Sequence, residues 1–194
     1  SNYKFLKNKT KESELGVSIK ADAYGLGYEK ICKTLIDLGC KTFFVATAHE
    51  ALEIIKIKKN IEVYVLNGTS EKKIASVLIK KGIKPVVNNT EQLEELVAIS
   101  KENNLKVPCA LHLDTGMNRL GIDYNQIERM IVLAKKYLKV SLIMSHLSCS
   151  ENKKSKLNKL QLENFKIIKN KFKVFKNAKF SLANSNGIFL NKSY

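Results

Sequence analysis

The chain has 194 residues, of which 44% are hydrophobic and 27% charged, and its formal net charge is +16. This composition predicts one globular domain over residues 1–194 and excludes a disordered chain. No apolar run approaches the roughly 18 residues needed to span a bilayer, so no membrane association is expected. The first residues, Ser1 to Lys11, are polar and lysine-rich without the apolar core of a signal peptide, which predicts a cytoplasmic protein.

Short apolar runs alternate with longer amphipathic runs along the chain. The apolar runs are rich in Val, Ile, Leu and Phe, as is typical of strands buried on both faces. They predict strands at Val17–Lys20, Thr42–Ala46, Glu62–Leu66, Lys84–Val87, Val107–Leu113, Val140–Ser145 and Lys179–Ala183. The amphipathic runs predict helices at Tyr28–Leu38, Ala48–Lys58, Ser70–Lys81, Thr90–Asn103, Tyr124–Tyr137 and Lys156–Phe172. Polar residues at Thr69-Ser70-Glu71 and Asn89-Thr90-Glu91 are typical of helix starts.

This alternation predicts an α/β fold with parallel strands joined by right-handed crossovers. The repeat length fits either a (β/α)8 barrel or a doubly wound sheet. The barrel is favoured because Lys20, Asp114, His146 and Asn184 each fall at the C-terminal end of a different predicted strand, and a barrel gathers those ends in one mouth. Because a complete barrel has eight strands, we expect an incomplete (β/α)8 TIM-type barrel.

Four cysteines, Cys32, Cys40, Cys109 and Cys149, are widely and irregularly spaced. They form no CxxC pair, and the three histidines do not complete a zinc-binding pattern. Buried free thiols and no metal site are therefore expected.

The high net charge permits a nucleic-acid partner, but the kind of basic residue argues against one. Only Arg119 and Arg129 are arginines, and nucleic-acid readers favour arginine for bidentate contacts. The lysines alternate with Ile and Leu, as in Ile54–Lys59, which is typical of solvated helix faces. No nucleic-acid partner is expected.

The most informative stretch is Val17–Gly27, which reads VSIKADAYGLG. A short apolar strand delivers Lys20 to its C-terminal end, and Tyr24 and a glycine-rich turn follow. A lysine in this place can form a Schiff base with an aldehyde cofactor such as pyridoxal 5'-phosphate (PLP), although a solvated or paired lysine is the commoner reading of the pattern alone.

The segment KADAYG resembles the cofactor-lysine motif of the alanine racemases. LDTGMNRLG at 113–121, SHLS at 145–148 and SLANS at 181–185 resemble later motifs of that family and follow in its order. Four ordered matches are far more specific than one, and they cover nearly the whole chain. The resemblance implies a PLP-dependent isomerase that interconverts L- and D-alanine for cell-wall synthesis.

By this resemblance, Lys20 is the Schiff-base lysine and the base on one face of the substrate. Tyr24 would pack near the cofactor phosphate. Arg119 would donate to the phenolic oxygen of the cofactor and to the substrate carboxylate. A structural arginine that pairs with Asp114 or Asp123 is the alternative.

The resemblance places His146 beside the pyridine ring of the cofactor. The alternative is that His146 is a core histidine whose hydrogen bonds are satisfied within the protein. Asn184 and Ser185 would bind the cofactor phosphate, because barrel enzymes often bind phosphate in the loops after strands seven and eight. A simple Asn-Ser turn is the alternative for these two residues.

The sequence departs from the family at two positions. Leu26 stands where histidine is usual, which we do not expect to abolish activity. His112 stands where the family often has a lysine modified to a carbamate that orients the arginine. Histidine cannot be modified in that way, so either another anion orients Arg119 or this arginine is held more loosely.

The family's chains are about twice as long and add a β-rich C-terminal domain, so we expect this chain to be the N-terminal barrel portion. In the family the base on the opposite face is a tyrosine from the partner's C-terminal domain. The chain is therefore expected to be inactive alone and to act as part of a homodimer. A racemase of serine or another small amino acid, and a non-catalytic PLP-binding barrel protein, remain alternatives.

Overall fold

The computed structural model describes residues 2–10, 12–191 and 194. The chain divides into two compact units, residues 1–86 and 87–194. Among the described residues, no helix is both long and apolar enough to cross a membrane.

The first unit alternates parallel strands with helices. Its elements are α1 (Asn2–Lys9), β1 (Val17–Ser18), α2 (Lys20–Gly25), α3 (Tyr28–Asp37), β2 (Thr42–Val45), α4 (Ala48–Ile57), β3 (Glu62–Val65), α5 (Lys72–Lys80) and β4 (Lys84–Val87), whose last residue is the first of the second unit. The parallel pairs are β1 with β2, β2 with β3, and β3 with β4. Phe43, Val45, Val63 and Val65 are buried, and α4 packs Ile54 into the same core.

The second unit continues the pattern. Its elements are α6 (Thr90–Asn103), β5 (Val107–His112), α7 (Ile127–Tyr137), β6 (Leu138–Met144), α8 (Lys156–Lys171) and β7 (Lys179–Ser181), with short 3-10 turns at Tyr124–Gln126, Phe172–Val174 and Gly187–Phe189. Strand β6 pairs in parallel with both β5 and β7. Parallel strands joined through helices in both units confirm the predicted α/β class.

Two predicted elements, β4 and α6, have the bounds that the sequence predicts. The predicted start of α6 is confirmed, because Asn89 Oδ1 accepts from the main-chain N–H of Gln92 at 2.9 Å. The predicted start of α5 at Ser70 is wrong: the helix begins at Lys72, and Glu71 at its N-cap makes no side-chain capping bond. Strand β1 is shorter than predicted, because a turn of unusual geometry begins at Lys20.

All four cysteines are free thiols, as predicted. Cys32, Cys40 and Cys109 are buried. The prediction of burial is wrong for Cys149, which is half-buried in the segment after β6.

Candidate active site

Lys20 lies where β1 ends in the first unit. The preceding residue, Ile19, is 2% exposed, and its main-chain N–H donates to the carbonyl oxygen of Phe44 at 2.9 Å. The backbone is thus anchored to the neighbouring strand up to the lysine. From Ala21 to Tyr24 the chain then turns the opposite way, because these four residues have φ between 50° and 58°. Element α2 is therefore one turn of left-handed helix.

Two carboxylates support this turn. A left-handed conformation costs a residue other than glycine about 1–2 kcal/mol, so four in succession need compensating contacts. Glu50 Oε1 accepts from the N–H of Ala21 at 2.7 Å, and its Oε2 accepts from the N–H of Ala46 at 2.7 Å. Asp22 Oδ1 accepts from the N–H of Tyr28 at 2.7 Å, at the start of α3. The main chain that follows Lys20 is therefore hydrogen-bonded to a side chain of α4, and a side chain of the turn is hydrogen-bonded to the start of α3.

Tyr24 lies close to the strand that presents the lysine. Its hydroxyl donates to Ser18 Oγ at 3.3 Å, while the residue as a whole is 63% exposed. Lys20 itself is half-buried. The left-handed turn thus brings the tyrosine hydroxyl back to Ser18 at the end of β1, two residues before Lys20.

In the second unit, Arg119 follows a loop organised by Asp114. Asp114 Oδ1 accepts from the main-chain N–H groups of Gly116 and Met117, both at 2.9 Å, and Oδ2 accepts from that of Asn118 at 3.0 Å. The Asp114 carboxylate therefore fixes the main chain that leads to Arg119, and the Arg119 side chain is exposed.

The same loop closes at Gly121. Leu113 pairs with Ile122, and the N–H of Asp114 donates to the carbonyl oxygen of Ile122 at 3.1 Å. Gly121 has φ of 111°, and a Cβ built on it would lie 2.7 Å from the main-chain nitrogen of Asp114. Only glycine fits here. The loop of residues 114–121, the arginine loop, is therefore closed at its base by two main-chain segments in close contact.

His112, at the end of β5, is a buried neutral imidazole. It is 7% exposed, and its Nδ1 lies 2.8 Å from Asn88 Oδ1. Burial lowers the pKa of His112 to about 4, with the neighbouring His146 and Arg119 adding to the effect and Asp114 opposing it. Because the amide oxygen is an acceptor, Nδ1 is assigned the proton, which leaves Nε2 as an acceptor.

Asn184 holds the loop after β7 through its own amide. Its Oδ1 accepts from Ser150 Oγ at 2.7 Å and from the N–H of Gly187 at 2.9 Å, and its Nδ2 donates to the carbonyl oxygen of Leu147 at 3.3 Å. Ser185 follows and is exposed. This loop is thereby fastened to the segment that follows β6.

Within the first unit, the structure therefore places the Tyr24 hydroxyl against Ser18, two residues before Lys20. Within the second, His146 and Arg119 lie close enough to His112 to lower its pKa electrostatically. The sequence analysis missed Glu50. The spacing Thr47-x-x-Glu50 could have revealed its capping box, in which Thr47 Oγ1 also accepts from the N–H of Glu50, but not its bond to Ala21.

Comparisons with known proteins identify relatives over the whole chain. The family model described as alanine racemase, N-terminal domain, matches residues 1–194. Alanine racemase of Rickettsia bellii (strain RML369-C) is 42% identical over 183 residues, which are 93% of this chain and 44% of that protein. The chain thus spans about half the length of the curated relatives it matches.

Solved structures show the same fold. The crystal structure of alanine racemase from Bartonella henselae with covalently bound pyridoxal phosphate has a TM-score of 0.88 at 33% identity, covering 99% of this chain and 56% of that one. The crystal structure of biosynthetic alanine racemase from Pseudomonas aeruginosa has a TM-score of 0.89 at 25% identity, and the match covers 99% of this chain and 52% of that one. These matches confirm the predicted incomplete (β/α)8 barrel.

Proposed function

Since this chain belongs to the alanine racemase N-terminal domain family, which confirms the resemblance seen in its motifs, we propose that it binds PLP and serves the interconversion of L- and D-alanine. The observation that carries the proposal is Lys20 at the end of a strand, followed by a strained turn that Glu50 supports. Strain of this kind is retained at functional sites, where it fixes a reactive group.

The chemistry of the available groups fits PLP. When bound, PLP delocalises the negative charge that remains when a proton leaves the α-carbon of an amino acid. The primary amine of Lys20 would hold the aldehyde carbon covalently. Displaced by the substrate, the same Nζ would take and return the proton at the α-carbon on one face. The hydroxyl of Tyr24 would reach the phosphate.

The second unit would supply the other groups of the chain that bind the cofactor and the substrate. The Arg119 guanidinium would bind the substrate carboxylate and the phenolic oxygen of PLP, since its planar fork suits paired oxygen acceptors. His146 would lie beside the pyridine ring. The Ser185 hydroxyl and nearby main-chain N–H groups would bind the phosphate, while Asn184 holds their loop in place.

We also propose how the complete enzyme works. The base on the opposite face would come from outside this chain, from the partner in a homodimer, so the chain alone would exchange the substrate proton without racemising it. The enzyme would act in the cytoplasm and supply D-alanine for cell-wall precursors. These statements rest on the resemblance to the family.

Proton exchange tests the function and separates the alternatives. The chain is incubated in D2O with PLP and with each enantiomer of alanine or serine, and NMR follows loss of the α-hydrogen. We expect one enantiomer of alanine to exchange its α-hydrogen, and to do so faster than either enantiomer of serine. The Lys20→Arg variant should show no exchange. Faster exchange of serine would identify a serine racemase. PLP bound at Lys20 without any exchange would identify a non-catalytic PLP-binding protein and contradict the proposal.

A further inference from the structure

Gln161, on α8, is a buried polar side chain near the candidate site whose hydrogen-bonding groups are all engaged. It is 0% exposed. Its Nε2 donates to the carbonyl oxygen of His146 at 2.9 Å and to Thr115 Oγ1 at 3.3 Å. Its Oε1 accepts from the N–H and the Oγ of Ser148, both at 3.0 Å. Two donors and two lone pairs are the full capacity of an amide, and here all of them are used.

Thr115 carries this network to the arginine loop. It is 2% exposed, and its Oγ1 lies 2.7 Å from Ser145 Oγ. Asn164, one turn along α8 from Gln161, donates from Nδ2 to the carbonyl oxygen of Thr115 at 3.0 Å. Thr115 directly follows Asp114, whose carboxylate fixes the main chain leading to Arg119. Two residues of α8 therefore hold the start of the arginine loop.

We propose that Gln161 is a positioning residue that fixes the main chain at His146 relative to the loop that carries Arg119. The inference rests on the proposed function, in which these two side chains meet the cofactor ring and the substrate carboxylate. A buried amide with four partners has one low-energy orientation, because any other leaves buried groups without hydrogen bonds. Its removal frees both segments at once.

Two variants separate positioning from general stability. Gln161→Met keeps the length and apolar stem of the side chain but removes all four hydrogen bonds. Thr115→Val keeps the shape of the threonine and removes only its hydroxyl bonds, which provides a second test should Gln161→Met fail to fold. The matched control is Asn158→Met, also on α8. Asn158 is 2% exposed, and its Nδ2 donates at 2.9 Å to the carbonyl oxygen of Asn152, which lies later in the segment after β6 than the residues of that segment that Gln161 contacts.

The first measurement is amide hydrogen exchange of the chain without cofactor. In both test variants we expect protection of the amides of Gly116, Met117 and Asn118 to fall about tenfold or more, the effect of one lost hydrogen bond. In Gln161→Met the amide of Ser148 loses its acceptor and should lose protection by a similar factor. Amides of β2 and β3 should be unchanged. Asn158→Met should not loosen either loop.

The second measurement is binding, by absorbance titration with PLP and by the alanine concentration that gives half-maximal α-hydrogen exchange. Gln161→Met should weaken alanine binding about tenfold, while Lys20 remains the attachment point of PLP. Loosening equal to that of the control, or unchanged alanine binding despite loosened loops, would overturn the inference. A wild-type chain that binds no PLP would overturn the proposed function instead, and the exchange pattern would still decide whether Gln161 fixes the two loops.

Discussion

Glu50 accepts a hydrogen bond of 2.7 Å from the main-chain N–H of Ala21, the residue that follows Lys20. The other oxygen of the same carboxylate accepts from the N–H groups of Ala46 and Thr47, at the end of β2. One side chain at the start of α4 therefore links the backbone of two strand ends, including the one that presents the lysine. This link balances part of the strain in the left-handed turn.

Replacing Glu50 with alanine should lower the free energy of unfolding by about 2 kcal/mol, because a capping box is lost and the Ala21 N–H loses its partner. Urea denaturation measures the loss. Glu53→Ala is the control, since it removes the same charge from the same helix. It breaks only a surface ion pair with Lys56 and a 3.5 Å hydrogen bond from Tyr28, so it should lower the free energy of unfolding by less than about 1 kcal/mol. Equal losses in the two variants would contradict this role for Glu50.

Gly121 offers a test of the arginine loop. Gly121→Ala places a Cβ 2.7 Å from the main-chain nitrogen of Asp114 and keeps φ at 111°, so we expect a loss of about 3 kcal/mol or more. Gly82→Ala is the matched control, because Gly82 has φ of 75° but nothing within 4 Å of the added carbon. It should lose only about 1 kcal/mol. Denaturation curves that give the same loss for both would rule out the close crossing at Gly121.

His112 should make stability depend on pH. Its pKa is lowered from 6.5 to about 4 in the folded chain, whereas the unfolded chain keeps the ordinary value. Between these values the unfolded chain binds more protons, so the free energy of unfolding should fall by about 3 kcal/mol as the pH drops from 6.5 to 4. The full stability is present above pH 6.5.

His112→Gln should flatten the pH dependence by that amount, because glutamine does not titrate. His49→Gln, at an exposed position on α4, is the control and should leave the wild-type dependence in place. Denaturation at a series of pH values gives both comparisons. An unchanged slope in His112→Gln would show that the imidazole is not held neutral in the folded chain.

Ser185 should discriminate between the phosphorylated and unphosphorylated forms of the cofactor. Ser185→Ala should weaken PLP binding about fivefold to tenfold through loss of one charge-assisted hydrogen bond, and should leave pyridoxal binding unchanged. Absorbance titration with each compound measures this. Ser155→Ala, before α8, is the control and should alter neither. Equal weakening for PLP and pyridoxal would place the phosphate elsewhere.

The sequence predicted elements whose signals are local. The start of α6 follows from the asparagine cap at Asn89, and the buried strands follow from their apolar runs. It could not predict the left-handed turn, because alanine ordinarily favours a right-handed helix. Glu50, in the first turn of α4, supports the opposite hand at Ala21 through a contact made only in the folded chain.

The residues of the candidate site also divide into those that local sequence identifies and those that only the folded structure reveals. Motifs identified Lys20 and Arg119, but nothing local distinguishes Gln161 from the solvated polar residues of a lysine-rich helix. Its burial depends on which face of α8 packs against the sheet. The charge state of His112 was equally inaccessible, because burial in the folded chain, followed by the charge of His146, lowers its pKa.

The most direct test of the central claim is reduction of the folded chain with borohydride in the presence of PLP, followed by peptide mass mapping. The proposed function predicts one modified peptide, labelled at Lys20, and no label at that position in Lys20→Arg. Circular dichroism confirms that both samples are folded. Label scattered over many lysines, or no label in a folded sample, would contradict the assignment of Lys20 as the residue that holds the cofactor.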